Sequence, residues 1–192
     1  MRLAMVWVAG LLSGACGGEG LTQVEQDTKA ILGLSIPLVV GNAGGQAGGQ
    51  LLIFDSSGYG FESLEREPYR DEILAQVDAG LLHAFVLANQ QEVRIDPRLL
   101  ALETGYALVD RDQTFEGCRA CDPLATCDCW AILCAQYPEL AGMLTLSSPG
   151  FQGDLALVHV YYVFGSRAYR REIVLLQKQQ AGWAILEDLL LE

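Results

Sequence analysis

Apolar residues recur along this chain with two different periods, and the change falls near its middle. In the first half, the stretch PYRDEILAQVDAGLLHAFVLANQ places Ile73, Val77, Leu81, Ala84 and Ala88 on one stripe, flanked by Leu74 and Phe85. With Pro68 suited to a first turn, that spacing predicts one helix whose apolar face must cover something. In the second half, DLALVHVYYVF, REIVLLQKQ and GWAILEDLLL are rich in β-branched and aromatic residues and are separated by short turn-like segments. They predict antiparallel strands in a meander. GMLTLSSPGF predicts a strand ahead of them, closed by the turn residues Ser148, Pro149 and Gly150. Between the halves, CWAILCAQYP sets Trp130, Leu133, Cys134 and Tyr137 at helical spacing and ends at Pro138, which predicts a short helix.

Upstream, LTQVEQDTKAILGLSIPLVV carries a short helix-like apolar pattern, and GNAGGQAGGQ then supplies five glycines in ten residues, the composition of a linker. LLIFD, ending at Asp55 and SSGYG, reads as a buried strand and a turn. The domain is therefore expected to begin near Gln50 and to run over 50–192, as an α+β fold with helices packed on a C-terminal antiparallel sheet. Half the chain is apolar, enough for one domain with a sizeable core, and nothing repeats at a solenoid period.

The first residues change the picture. MRLAMVWVAGLLSGAC has a basic Arg2, an uncharged run from Leu3 to Leu12 and small residues ahead of Cys16, the pattern of a secretory signal over 1–15. This apolar run is too short for a stable membrane span. Ser13, Gly14 and Ala15 before Cys16 resemble the lipobox of bacterial lipoproteins, which implies cleavage before Cys16 and lipidation of that residue. An ordinary cleaved signal leading to plain secretion, or a retained anchor, is the alternative. On the lipoprotein reading the chain sits in the bacterial cell envelope, at the outer membrane, with residues 16–49 as a lipidated tether and glycine-rich linker. Cleavage removes Arg2 alone among the charged residues and takes the formal charge from −12 to −13. Nucleic acid is a poor partner for such a surface.

Export also bears on the cysteines, five of which fall between residues 118 and 134. Cys118, Cys121, Cys127 and Cys129 could present four thiolates to zinc, but oxidising surroundings favour disulfides first. Cys127 and Cys129 are too close for an unstrained bond, so each is expected to reach back to Cys118 or Cys121, which leaves Cys134 as a free thiol on the short helix.

The order QLLIFDSS, a helix ending LANQ, YALVD, CWAILCAQYPELAGMLTLSSPGFQGDLALVHVYYVFG and IVLLQKQQAGWAIL resembles a family of uncharacterised bacterial secreted proteins. The likeness covers roughly residues 50–186. Trp130, Tyr137, Pro138, Leu146, Ser147, Gly150, Phe151, Ala156 to Val158, Gly182 and Trp183 take the matching places. It implies export and this order of elements and carries no activity. By fold analogy, the helix-then-sheet order also resembles cystatin-like and nuclear-transport-factor-like cones.

Candidate chemistry is sparse. His83 falls on the helix face shared with Glu72 and Gln76 and reads as an exposed structural residue. His159 alternates with Leu157 and Tyr161 and reads as a hydrogen-bonded pocket residue. Ser147 and Ser148 lack the Gly-x-Ser-x-Gly elbow of a nucleophile. The glycine run lacks the ending of a phosphate loop. Asp55 or Asp154 would serve as an acid only in a cleft that gathers them. Arg167, Arg170 and Arg171, at an expected hairpin tip, form a candidate contact for an anionic polysaccharide or lipid headgroup. No cofactor is expected. The reading is an envelope lipoprotein acting as a binding or interaction module, with the bilayer held through Cys16 and a protein, polysaccharide or small molecule as ligand. A small hydrolase-like enzyme with a cone pocket near His159 is the alternative.

Overall fold

A computed structural model describes residues 20–44, 49–58, 64, 69–100, 102, 105–116 and 128–191. Along the chain run α1 (Gln23–Asn42), β1 (Gln50–Phe54), α2 (Tyr69–Leu74), α3 (Ala79–Ala88), a 3-10 turn at Pro97–Leu99, β2 (Tyr106–Val109), the one-turn α4 (Arg111–Thr114) and α5 (Cys129–Gln136). The strands β3 (Leu140–Leu146), β4 (Gly150–Gln152), β5 (Leu155–Val163), β6 (Tyr169–Gln179) and β7 (Gly182–Leu190) follow. The fold is α+β, as the two periods predict.

One sheet runs in the order β2-β1-β3-β5-β6-β7, with β4 paired to β5 off this path. From β3 onward all pairs are antiparallel. The C-terminal meander does not account for the whole sheet, because β1 lies between β2 and β3 and runs parallel to both. Its apolar LLIF explains this placement: a strand without alternation needs both faces covered, and a position inside the sheet supplies that.

The expected helix over 68–90 is two helices. Asp78 breaks it, with its carboxylate accepting the Gly80 N–H as the N-cap of α3. The apolar stripe continues across the break, so Ile73, Val77, Leu81, Leu82, Phe85 and Val86 still share one core with Leu157, Ile173 and Leu175 of the sheet.

The larger correction concerns the N-terminal boundary. α1 begins at a capping box, in which Thr22 accepts from the Glu25 N–H and the Glu25 carboxylate accepts from the Thr22 N–H. Its Ile31, Leu32, Ile36 and Val39 are buried against Val158, Val160, Tyr162, Val174 and Leu176. Each such side chain contributes about 1.5–3 kcal/mol by leaving water, far more than a tether could forgo. The packed core therefore begins ahead of Gln50, with α1. Polar locks hold both ends of the helix. Asp27 accepts from Lys178 Nζ at 2.8 Å and from Trp183 Nε1 at 2.9 Å, while Asn42 donates to the buried Glu172 and to Asp188 at 3.0 Å.

Two faces result. One is covered by α1. The other carries α2 and α3 over β5 and β6 at one end, and at the other a cluster of Leu52, Phe54, Leu133 and Met143 packed with Phe115, Trp130 and Val163. Gly150 allows close approach at the first end, since a Cβ there would collide with the Phe85 backbone of α3.

Candidate functional site

Strand alternation decides which side chains can meet. On β5, Ala156, Val158, Val160 and Tyr162 pack into the core under α1, so Leu157, His159, Tyr161 and Val163 face the other way. Between the two apolar clusters of that second face lies a polar stretch formed by Thr145, Ser147, His159, Tyr161 and Arg171. A cleft of about 350 Å³ opens beside it, with Phe54, Phe115, Trp130, Leu133, Met143 and Tyr161 among its walls.

Each wall is placed by local chemistry. Trp130 enters on the first turn of α5, whose N-cap Asp128 accepts from the Trp130 N–H at 3.0 Å and also from the Ser166 hydroxyl at 2.9 Å. Asp110 caps α4 by accepting from the Gln113 N–H at 2.8 Å, which sets Arg111 at the cleft mouth with its guanidinium 5.8 Å from the Phe54 ring centre. Phe54 and Phe115 are tilted rings 5.6 Å apart. Burial, then the neighbouring Tyr169, pushes the Tyr161 phenol above its ordinary range, against the opposing pull of Arg171 and Arg111. The phenol is neutral and a donor at neutral pH.

His159 is buried, and its Nε2 accepts from Arg171 Nε at 3.3 Å. Burial first, and the Arg171 charge second, lower its pKa to about 3. An imidazole held neutral in this way is a poor proton acceptor near pH 7. Ser147 is not activated by it, because the Ser147 hydroxyl accepts from the His159 backbone N–H at 2.8 Å. Ser148 is pinned through its backbone: its N–H donates to Asn89 Oδ1 and its carbonyl accepts from Asn89 Nδ2, both at 2.8 Å. The buried Asn89 is a residue that sequence reasoning missed; the signal was an amide at the end of α3, in LANQ. His83 is exposed, as expected.

The arginine trio does not form one patch. Arg170 and Arg171 are adjacent in a strand and so leave the sheet on opposite faces. Arg170 pairs with the buried Glu172, Arg171 stacks 5.3 Å from the Tyr69 ring centre, and Arg167 is exposed in the connecting turn. Asp55 and Asp154 are likewise not gathered. Asp55 lies with Glu92, Asp110 and Asp112 in a second, polar cleft of about 560 Å³ at the carboxyl ends of β1 and β2, where it pairs with Arg94 at 3.2 Å. Asp154 stands in the turn before β5. A third groove, about 270 Å³ and mostly apolar, runs between α1 and the Ser147–Pro149 turn. His159 lines none of the three.

Cys16, Cys118, Cys121 and Cys127 lie outside the described residues. Cys129, in the cleft wall, is disulfide-bonded to a partner outside them, and Cys134 is a half-buried free thiol. Among the described residues, no group of three or more His, Cys, Asp or Glu could hold a metal ion, and no helix is long and apolar enough to cross a membrane. Compared with known proteins, the chain matches no family model, no curated sequence and no solved structure.

Proposed function

We propose that the protein is a lipid-anchored binding module of the bacterial envelope, and that its ligand site is the aromatic cleft beside α5. The observation that carries the reading is the cleft itself. It is about 350 Å³, within the range of small-molecule sites, and it joins apolar walls to a few directional polar groups. The polar cleft is a weaker candidate, because Asp55 is already paired and Asp110 already caps a helix. The apolar groove by α1 is weaker too, since the Ser147 hydroxyl at its edge is spent on the sheet. A hydrolase reading centred on His159 is weaker, because burial holds the ring neutral and it lines none of these three clefts.

The anchor follows from Cys16, with a consequence for geometry. Only residues 17–21 separate Cys16 from the Thr22 cap of α1, a span of roughly 20 Å when fully extended. A lipid on Cys16 therefore holds the domain close to the bilayer, with the start of α1 nearest to it.

One experiment addresses each half. Metabolic labelling with a clickable fatty acid should mark the wild-type chain and not Cys16→Ser; equal labelling of both overturns the anchor. For the cleft, the neutral dye Nile red should brighten with the soluble Cys16→Ser protein. Thr145→Trp, which fills the cleft from β3, should abolish the signal without a large change in melting temperature. Undiminished dye binding by that variant overturns the cleft as the site.

A further inference from the structure

Thr145, Tyr161 and Arg171 stand in one row across the sheet. Thr145 of β3 pairs with Tyr161 of β5, and Tyr161 with Arg171 of β6, so the three side chains leave the same face about 5 Å apart at Cβ. Arg171 is oriented from two sides, by its Nε bond to His159 and by the Tyr69 ring. The bond uses one of its five donors and leaves the terminal fork available. His159 can accept it only as a neutral ring, which burial ensures. Across the row, Arg111 rests on Phe54 at the cleft mouth.

Two cations thus act on one phenol. Neither Arg111 nor Arg171 forms an ion pair with a carboxylate among the described residues, whose four pairs involve Arg94, Arg98, Arg170 and Lys178. Among the described residues Asp128 is the carboxylate lining this cleft, and both its oxygens are engaged, Oδ1 by the α5 backbone and Oδ2 by Ser166. Arg171 is half-buried, and a guanidinium so placed is costly without a counter-ion unless a ligand supplies one, whereas Arg111 is exposed at the cleft mouth and open to an incoming anion. Guanidinium forks joined by a neutral phenol donor match an oxyanion.

We infer that the cleft binds an amphipathic acid, its carboxylate or phosphate held between Arg111 and Arg171 against the Tyr161 hydroxyl, its aromatic or alkyl body lying along Trp130, Leu133 and Met143. The inference rests on the binding-module reading. The net charge of −12 does not oppose it at contact, because charges beyond a Debye length of ~8–10 Å are largely screened. Arg171 is the one residue of the expected arginine patch to which this inference gives an anionic role, and it stands beside the cleft, next to Tyr161 of the cleft wall.

The test is competition against Nile red with 4-phenylbutyrate, phenyl phosphate and the neutral 4-phenylbutyramide. At least one acid should displace the dye at roughly tenfold or more lower concentration than the amide, the scale of charge-assisted hydrogen bonds. Arg111→Gln and Arg171→Gln should each erase most of that preference, bringing the acid-to-amide ratio toward one. Tyr161→Phe, which disturbs neither arginine stack, should weaken the acid a few-fold and serves if Arg171→Gln lowers the melting temperature. Equal displacement by acid and amide, or a preference that survives both arginine variants, overturns the inference while the cleft remains a binding site. Dye binding that persists in Thr145→Trp removes the site itself, and the inference with it.

Discussion

Buried on β5 opposite Ile173, His159 carries its neutral ring at a cost that depends on pH. Its folded pKa of about 3 lies below the ordinary 6.5, so the unfolded chain takes up a proton that the native state refuses. The contribution to stability is fully present above pH 6.5 and is lost as the pH falls toward 3, at about 1.4 kcal/mol per unit once below 6.5. Between pH 6.5 and 5, before the carboxylates titrate, urea unfolding of the wild type should show this slope and His159→Gln should lack it. Parallel slopes in the two proteins would show that the ring protonates in the native state. That His159 is buried and hydrogen-bonded was legible, because its position in an apolar alternation implies burial, but the pocket expected around it is not among the three clefts. Its partner was not legible. Reading Arg167, Arg170 and Arg171 as one cluster treated nearness along the chain as nearness in space, whereas the period of two sends Arg170 to Glu172 and Arg171 to His159.

Elements were read well where the signal is local and poorly where it is not. Four of the five late strands and α5 stand where apolar period and turn residues put them; the short β4 (Gly150–Gln152) begins at a residue read as part of a turn. β1 was legible as a buried strand, but its partners β2 and β3 lie more than fifty residues away, and no local pattern names a parallel neighbour. α1 was legible as a helix and not as a piece of the core, because glycine-rich composition after an element reports how freely the chain can turn there, and says nothing of whether that element docks. The difference has a measurable form. A soluble chain beginning at Gln50 exposes the sheet face that Ile31, Leu32, Ile36 and Val39 cover, and it should aggregate or unfold non-cooperatively, whereas one beginning at Gly20 should unfold in a single transition. Within the longer chain, Ile36→Ala should cost about 2–5 kcal/mol, the scale of emptying a buried aliphatic site. Equal calorimetric stability of the two lengths would place α1 outside the cooperative unit.

At the scale of the molecule, one sheet separates two kinds of work. The face under α1 is closed by Asp27, Lys178, Trp183 and Asn42 and gives stability; among the described residues the opposite face is covered at its ends, and the cleft opens between those two covers. The cleft could not be seen in the sequence, because its walls come from β1, α4, α5, β3 and β5, brought together by pairings that no short motif records. If the sheet is a partition, then a change on the helix side should not be felt on the ligand side, since sites that share no partners usually add. Asp27→Asn tests this. It weakens the acceptor for Lys178 and Trp183 and, in the native chain, removes a carboxylate whose pKa is lowered chiefly by the Lys178 bond. Stability at pH 7 should fall by about 1–3 kcal/mol, as for other charged hydrogen bonds, and the wild-type advantage should shrink as the pH falls through the lowered Asp27 pKa, where protonation mimics the substitution. Displacement of Nile red by 4-phenylbutyrate should remain within about twofold of wild type. A larger change in affinity would mean that α1 and the cleft are coupled through β5 and β6, so that a force on the start of α1, such as the proposed anchor would exert, also sets how tightly the cleft holds a bound acid.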